Sequence, residues 1–324
     1  MIATARQRLN ALGIPSIYAV LLLFYLVAAV LVALFGRGTF ISGANISNLA
    51  VRSVALGIVA VGQTFAILAG SLDLSVAYLI SVVAVMSSYT MQGDPDRVPR
   101  AVALVLAIGA GVGLANGLII TKLRLNAFIA TLGTGLLMQG VLNASFDNFA
   151  GSVPSSFEQL GYGKWFGVPI SVVMLLAVAG VGSFILRRTR FGAHIYAVGG
   201  NRETARLSGV RTDRVIIGAH IVCSLTAALS GLFIVSRLRA GAPWVGPDGV
   251  YDLESIAAVV VGGTALSGGR GGVWGTLGGV FIFSVLDMMF NQLGIDPFLK
   301  QVLRGLIIIA AVASYSVRSR EAAA

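Results

Sequence analysis

Few side chains in this 324-residue chain could do chemistry, and their spacing limits what that chemistry could be. Asp73 stands in LAGSLDLSVAY (Leu68–Tyr78) at a tight turn between two apolar runs, and Asp287 lies inside another run, one turn before Asn291. An acid at or within a membrane-length segment is a functional candidate, because placing its charge in hydrocarbon costs on the order of 3 kcal/mol or more. Asp73 and Ser75 also stand where caps of the following helix would stand. Asp287 suits a proton or cation site, or an ion pair within the bundle, with Arg304 as a candidate partner. The other polar residues in apolar runs are Gln63, Thr64, Asn116, Thr131, Gln139, Asn143 and Asn291. Gln139 and Asn143 are four apart and share a helix face. Each of these residues suits interhelical hydrogen bonds, or the wall of a path for a hydroxylated solute.

His194 and His220 fall in different surroundings, and the one cysteine, Cys223, lies in an apolar run, so neither a metal site nor a disulfide within the chain is expected. No nucleophile–base arrangement and no acid/base pair is visible, so an enzyme is not expected. The glycine-dense stretch DLESIAAVVVGGTALSGGRGGVWGTLGG (Asp252–Gly279) lacks the lysine of a phosphate loop, so the chain is not expected to bind ATP itself. Gly262, Gly263, Gly268 and Gly269 read instead as turns or helix breaks, as does Gly70. Gly271, Gly275 and Gly279 give the small-xxx-small spacing of close helix packing.

These residues have to be positioned by membrane-length helices. Hydrophobic residues make up 56% and charged residues 11%, against roughly 25% charged in soluble domains. Spanning backbone must satisfy its own hydrogen bonds, so the runs imply an all-α polytopic bundle forming one domain over residues 1–324. About ten runs are expected: 17–35, 50–69, 74–91, 101–121, 126–146, 168–186, 214–235, 253–268, 273–291 and 298–316. The first reads as an uncleaved helix. The 70–75 turn and the short 253–268 run read as broken or re-entrant. Fourteen of the 23 Lys and Arg residues fall on one side if both termini are inside, so the topology is N-in and C-in. The net charge of +10 is thereby a matter of topology, and nucleic acid is not expected as a partner.

One hydrophilic segment interrupts the runs. Residues 187–214 hold seven arginines against Glu203 and Asp213. Asn201 can cap a short helix from Arg202 to Ser208, with Glu203 in its first turn and Gly209 just past its end. Either this is an ordinary positive-inside loop, or Asn201, Arg202, Glu203, Arg206, Leu207 and Gly209 form a docking helix for a cytoplasmic partner.

Four stretches resemble the permease subunits of bacterial ABC importers for ribose, xylose, arabinose and galactose. TRFGAHIYAVGGNRETARLSGV (Thr189–Val210) is similar to that family's cytoplasmic block, and DLESIAAVVVGGTALSGGRGGVWGT (Asp252–Thr276) to its most recognisable segment. VGQTFAILAGSLDLSVA (Val61–Ala77) resembles its GGIDLSVG region and NAFIATLGT (Asn126–Thr134) its PAFIVTLGT, with Ser71, Ala77 and Asn126 as departures. The resemblance implies an inner-membrane permease that works as a pair of copies or paralogues. It also implies a cytoplasmic ATPase that holds ATP and Mg, and a periplasmic or lipid-anchored protein that delivers a sugar. The 187–214 block would then carry the coupling helix. The outer loops 147–167 and 236–252 would meet the binding protein, with Trp244, Asp248 and Asp252 as contacts. Gln63, Thr64, Asn116, Gln139, Asn143, Asp287 and Asn291 are candidates for the path. Two alternatives are the same machine with a branched-chain amino acid or nucleoside as cargo, and a proton-coupled carrier using Asp287.

Overall fold

The computed structural model describes residues 16–36, 39–296, 298–306 and 309. The terminal arginines 6, 8, 318 and 320, and residues 307, 308 and 310–316 of the run expected at 298–316, lie outside these residues. Thirteen named helices and one small hairpin follow in order. They are α1 (Ser16–Phe35), α2 (Gly43–Leu68), α3 (Val76–Met91), α4 (Val98–Lys122), α5 (Ala127–Ser145), α6 (Ser155–Tyr162) and α7 (Ile170–Arg188). Next come α8 (Arg190–Gly200), α9 (Arg202–Leu207), α10 (Thr212–Leu238), α11 (Val245–Asp248), α12 (Tyr251–Val261) and α13 (Val273–Gln292). Strands β1 (Lys164–Trp165) and β2 (Val168–Pro169) pair antiparallel between α6 and α7. Among the described residues, seven helices are long and apolar enough to cross a membrane: α1, α2, α4, α5, α7, α10 and α13, with α4 counted from Pro95. At 16 and 11 residues, α3 and α12 are shorter, about 24 and 16 Å of helix.

Helix α10 is the hub. It buries residues on every side, among them Val215, Ala219, His220, Cys223, Ala227 and Val235. Lipid is as apolar as leucine, so burial alone gives no drive to pack here, and small residues that let backbones touch must do so. Helix α4 supplies Gly109, Gly113 and Gly117, one turn apart. A methyl group at Gly113 or Gly117 would lie 2.6 Å from the Cα of Ile221 or Ile217 on α10. Gly62 on α2 meets the backbone of Cys223, and Gly231 of α10 meets Val83 on α3. Gly275 and Gly279 of α13 lie against Gly262 and the Ala258 carbonyl at the end of α12, as their spacing implied, whereas Gly271 lies in the loop before α13.

The two breaks expected from sequence are present. Backbone 69–75 separates α2 from α3, and 262–272 separates α12 from α13. A third was not foreseen: the segment assigned to an outer loop at 236–252 turns back into the bundle. Gly241 lies against Val85 and Ser88 of α3, and Gly246 lies against Ala77 and Ser81, with its amide on the Ser81 hydroxyl at 3.0 Å. Eight positions along α3 correspond to about 12 Å of descent. Arg239 (φ +66°) and Val250 (φ +52°) reverse the chain at the two ends of this strap. Its upper end is tied to the other outer segment, because Ala150 and Gly241 exchange backbone hydrogen bonds at 2.8 and 2.9 Å.

The glycine contacts generate a test. Replacing Gly113 by alanine should lower stability by about 1–3 kcal/mol through overpacking. Gly111→Ala, with nothing within 4 Å of its new carbon, should be neutral or stabilising by up to about 1 kcal/mol. Thermal denaturation midpoints of the two variants in detergent would decide; equal midpoints would refute the packing role.

Candidate functional site

The 187–214 block folds as its residues imply. Asn201 accepts the Thr204 amide at 2.9 Å and so caps α9. Gly209, at φ +84°, closes the far end, its amide on the Arg206 carbonyl and that of Val210 on Ala205, both at 3.0 Å. Ala205 turns inward, while Leu207 is 77% exposed at the tip. Arg206 forks onto both oxygens of Glu203, at 2.6 and 3.1 Å, and this guanidinium holds the Glu203 carboxyl below its ordinary range. Arg202 and Lys122 converge on Asp213 at 3.0 and 2.8 Å, tying α9 to the ends of α4 and α10.

Immediately before α9, helix α8 ends on Gly199–Gly200, and Gly199 is where the block meets both expected breaks. A methyl group on Gly199 would run into the Leu68 carbonyl and lie 2.6 Å from the Gly269 nitrogen. Gly269 itself donates to that Leu68 carbonyl at 3.0 Å. Gly70, Gly268 and Gly269 have φ of +76°, +91° and +72°, values that glycine adopts without a side-chain penalty. On the same side of the junction, the Tyr196 hydroxyl donates to the Gly271 carbonyl at 3.0 Å. Three bare backbones thus meet at the inner end of the bundle.

Behind this junction sits a wholly buried polar cluster. His220 donates from Nδ1 to Asp73 Oδ2 at 3.1 Å and accepts the Ser71 hydroxyl on Nε2 at 2.8 Å. The other Asp73 oxygen takes the Ser75 amide at 3.0 Å, the Ser75 hydroxyl at 2.5 Å and the Asn116 amide at 3.5 Å. Thr131 accepts the Leu74 amide at 3.0 Å, and the Gln63 amide, turned with its nitrogen toward the Asp73 carbonyl, pairs with the backbone C=O and N–H of Asp73, both at 3.2 Å. Two sequence expectations are corrected here. A Ser–His–Asp arrangement does exist, but His220 and Asp73 are fully buried and Ser71 nearly so, and no substrate reaches the hydroxyl. Ser75 precedes α3 without capping it by its side chain, and Asp73 serves the loop and α10 instead. Thr64 pins α2 to α13 through Thr276 at 2.8 Å. Ser53 and Ser284 form a second pin between the same helices, at 2.8 Å, that sequence reasoning missed.

Toward the outer end, Asp287 is not a lone carboxylate. Arg304 bonds it at 2.5 Å and reaches Glu254 at 3.2 Å, while Arg52 lies 3.4 Å from its second oxygen. Asn291 bonds Asp287 at 3.2 Å and accepts from Lys300 at 2.5 Å. Arg52, Tyr251, Glu254, Ser284, Asp287 and Arg304 line a polar cavity of about 160 Å³. Sequence reasoning named Arg304 and Asp287; Arg52 and Glu254 lie on distant segments and carried no signal. The premise of a proton-coupled carrier, an uncompensated acid, is absent.

The last group lies around the strap. Gln139 bonds Asn143 at 2.7 Å on α5 and approaches the Pro243 carbonyl at 3.5 Å. Trp244, 37% exposed, stacks edge-on with Phe149 at 5.2 Å, and Asp248 is exposed at the strap's lower end.

Residues 45–312 match the family described as branched-chain amino acid transport system / permease component. The chain belongs to this family. It is 36% identical over 277 residues to the ribose import permease protein RbsC of Escherichia coli (strain K12), covering 83% of this chain and 84% of that protein. The L-arabinose transport system permease protein AraH of the same organism is 35% identical over 307 residues, covering 93% and 88%. The galactose/methyl galactoside import permease protein MglC of Salmonella typhimurium is 34% identical over 317 residues, covering 91% and 93%. No solved structure matches the chain. It is therefore a multi-pass membrane permease without catalysis of its own, of a family that works with an ATPase and a binding protein.

The buried cluster carries a prediction. His220→Ala leaves the Asp73 carboxylate short of a partner inside the bundle, which should cost about 3–5 kcal/mol. The variant should aggregate or denature early in detergent, while His194→Ala, at an exposed site, should not. A wild-type denaturation midpoint for His220→Ala would refute the role assigned to the cluster.

Proposed function

We propose that this chain lines the path of an ATP-driven importer for a monosaccharide in the bacterial inner membrane. The cargo class follows the ribose, arabinose and galactose named for its relatives. Two copies of the chain, or one copy and a paralogue, enclose the path within membrane lipid. A cytoplasmic ATPase holds ATP and Mg, and a periplasmic or lipid-anchored binding protein delivers the sugar.

The observation that carries this reading is the inner junction. A capped helix carries an exposed apolar tip, Leu207, among Arg202, Glu203 and Arg206. Through Gly199 it bears directly on backbone 68–70 and 268–269, where helices break. A partner shifts a conformational equilibrium only by binding one state better than the other. An ATPase seated on α9 has such a lever, because displacing α8 must displace the backbones it touches. Gly70, Gly262, Gly263, Gly268 and Gly269 are then the hinge residues of the response, with Asp73 and Ser75 holding the loop between α2 and α3.

Reconstitution with the ATPase and binding protein tests the reading, and ATP-independent uptake would overturn it. Leu207→Asp should weaken ATPase association by at least about tenfold, because a seated tip would bury an unpaired charge. Gly199→Ala should leave association intact but lower solute moved per ATP hydrolysed several-fold. Its neighbour Gly200→Ala, with open space at its new carbon, should keep that ratio. Equal ratios in the two variants would remove the junction from the mechanism.

A further inference from the structure

The strap places residues from separate parts of the sequence on one surface at membrane depth. Its upper end lies against Val85 and Ser88, and Gly246 lies against Ala77 and Ser81, within about a turn and a half of the inner end of the 16-residue α3. Asp248, two residues beyond Gly246, is therefore carried well below the outer end of the bundle. It is nevertheless exposed, and it has no ion pair among the described residues. An exposed carboxylate at such depth cannot face hydrocarbon; it faces the bundle interior or a water-filled path.

Its neighbours share that polarity. Gln139 reaches the strap at the Pro243 carbonyl, and Asn143 stands one turn away on the same face of α5, exposed. The Gln139 amide donates twice, but its Oε1 is shielded from solvent and has no hydrogen-bond partner. Trp244 follows Pro243, is exposed, and takes the Asp248 amide on its carbonyl at 3.0 Å. Tyr78 of α3 packs its ring on Gly135 of α5, and Asp252 stands in the first turn of α12, just past the strap. A flat aromatic ring beside a carboxylate and two side-chain amides is the chemistry that binds a neutral, hydroxyl-rich ring. The aromatic face covers the C–H face of the solute, while the carboxylate and amides divide acceptors and donors among its hydroxyls.

We propose that Gln139, Asn143, Trp244 and Asp248, flanked by Tyr78 and Asp252, form a recognition site for a neutral monosaccharide in the wall of the path. The proposal rests on the importer reading and deepens it, giving the permease a selectivity of its own beside that of the binding protein. It moves Trp244, Asp248 and Asp252 from the docking surface to the path and joins them to Gln139 and Asn143.

Asp248→Asn tests the site with little risk to folding, since the side chain is exposed. The complete complex would be reconstituted in proteoliposomes and supplied with labelled D-ribose, L-arabinose and D-galactose. Uptake of the sugar that the wild type carries should fall about tenfold, the worth of one charged hydrogen bond, with complex assembly and binding-protein affinity unchanged. Unchanged uptake would overturn the proposal, and so would a loss of binding-protein affinity, which would return Asp248 to the docking surface. A second measurement does not depend on turnover. In a Cys223→Ser background, Asp248→Cys and Asn143→Cys should react with a membrane-impermeant thiol reagent, and the transported sugar should slow the reaction. Unreactive thiols, or labelling indifferent to sugar, would overturn it. A wild-type complex that carries none of the three sugars would instead refute the importer reading, which separates the two failures.

Discussion

Hydrocarbon offers no hydrogen bonds, so every amide freed by a broken helix must find its partner inside the protein. Among the described residues, the backbone breaks at three places within or beside the bundle, and the arrangement around each follows from that requirement. At 69–75 the free groups are taken by Gln63, Thr131 and the Asp73 carboxylate, which Asn116 and His220 in turn hold. At 262–272 the Ala265 amide closes onto the Arg270 carbonyl at 2.8 Å, and Gly272 donates to the Thr264 hydroxyl at 3.3 Å. Along the strap, Gly241 pairs with Ala150 and Gly246 donates to Ser81. The polar residues inside apolar runs are, in large part, the partners that the breaks require.

The same constraint explains where glycine is used. A break can be satisfied by neighbouring backbone only if the two chains come within hydrogen-bonding distance, and a side chain at the contact prevents that. Gly199, Gly268 and Gly269 meet Leu68 and Gly70 in this way, and Gly246 meets Ala77 likewise. Contacts of this kind transmit displacement well. They have no flexible side chain to absorb a shift, and a packed interior changes between discrete arrangements more readily than it deforms. A helix set against two breaks by bare backbone is therefore suited to relay force, and α8 is that helix.

Local chemistry was legible in the sequence, and long-range pairing was not. The cap on α9 was readable because Asn201, Thr204 and Gly209 lie within a few residues and meet through backbone geometry alone. Membrane-length runs were readable because hydropathy is summed over about twenty residues. The partner of Asp73 stands 147 residues away on a helix whose sequence gives no reason to single out His220 from an apolar run. Arg52, 235 residues from Asp287, is hidden for the same reason. The strap was misplaced because PWVGPDGV has the composition of a surface loop. What draws it inward is the fit of Gly241 and Gly246 to the backbone of α3, a tertiary fact. The Gly109–Gly113–Gly117 stripe was not read from the sequence, and which helix it faces depends on the fold.

The strap and the 69–75 break also bear on each other. They meet at the start of α3, one lying against Ala77 and the other leading into Val76. Between them, α3 is the short helix whose inner end both segments touch. A shift of the inner junction that moved Asp73 would carry the start of α3 with it, and with α3 the seat of Gly246. Asp248 and Trp244 ride on the same strap. The structure thus offers a continuous route, built from backbone contacts and the buried Asp73–His220 hydrogen bond, from α9 to the polar face around Asp248. Coupling over such a distance needs an element with two arrangements, and α3 with the loops at its inner end is the element to which both ends of the route attach.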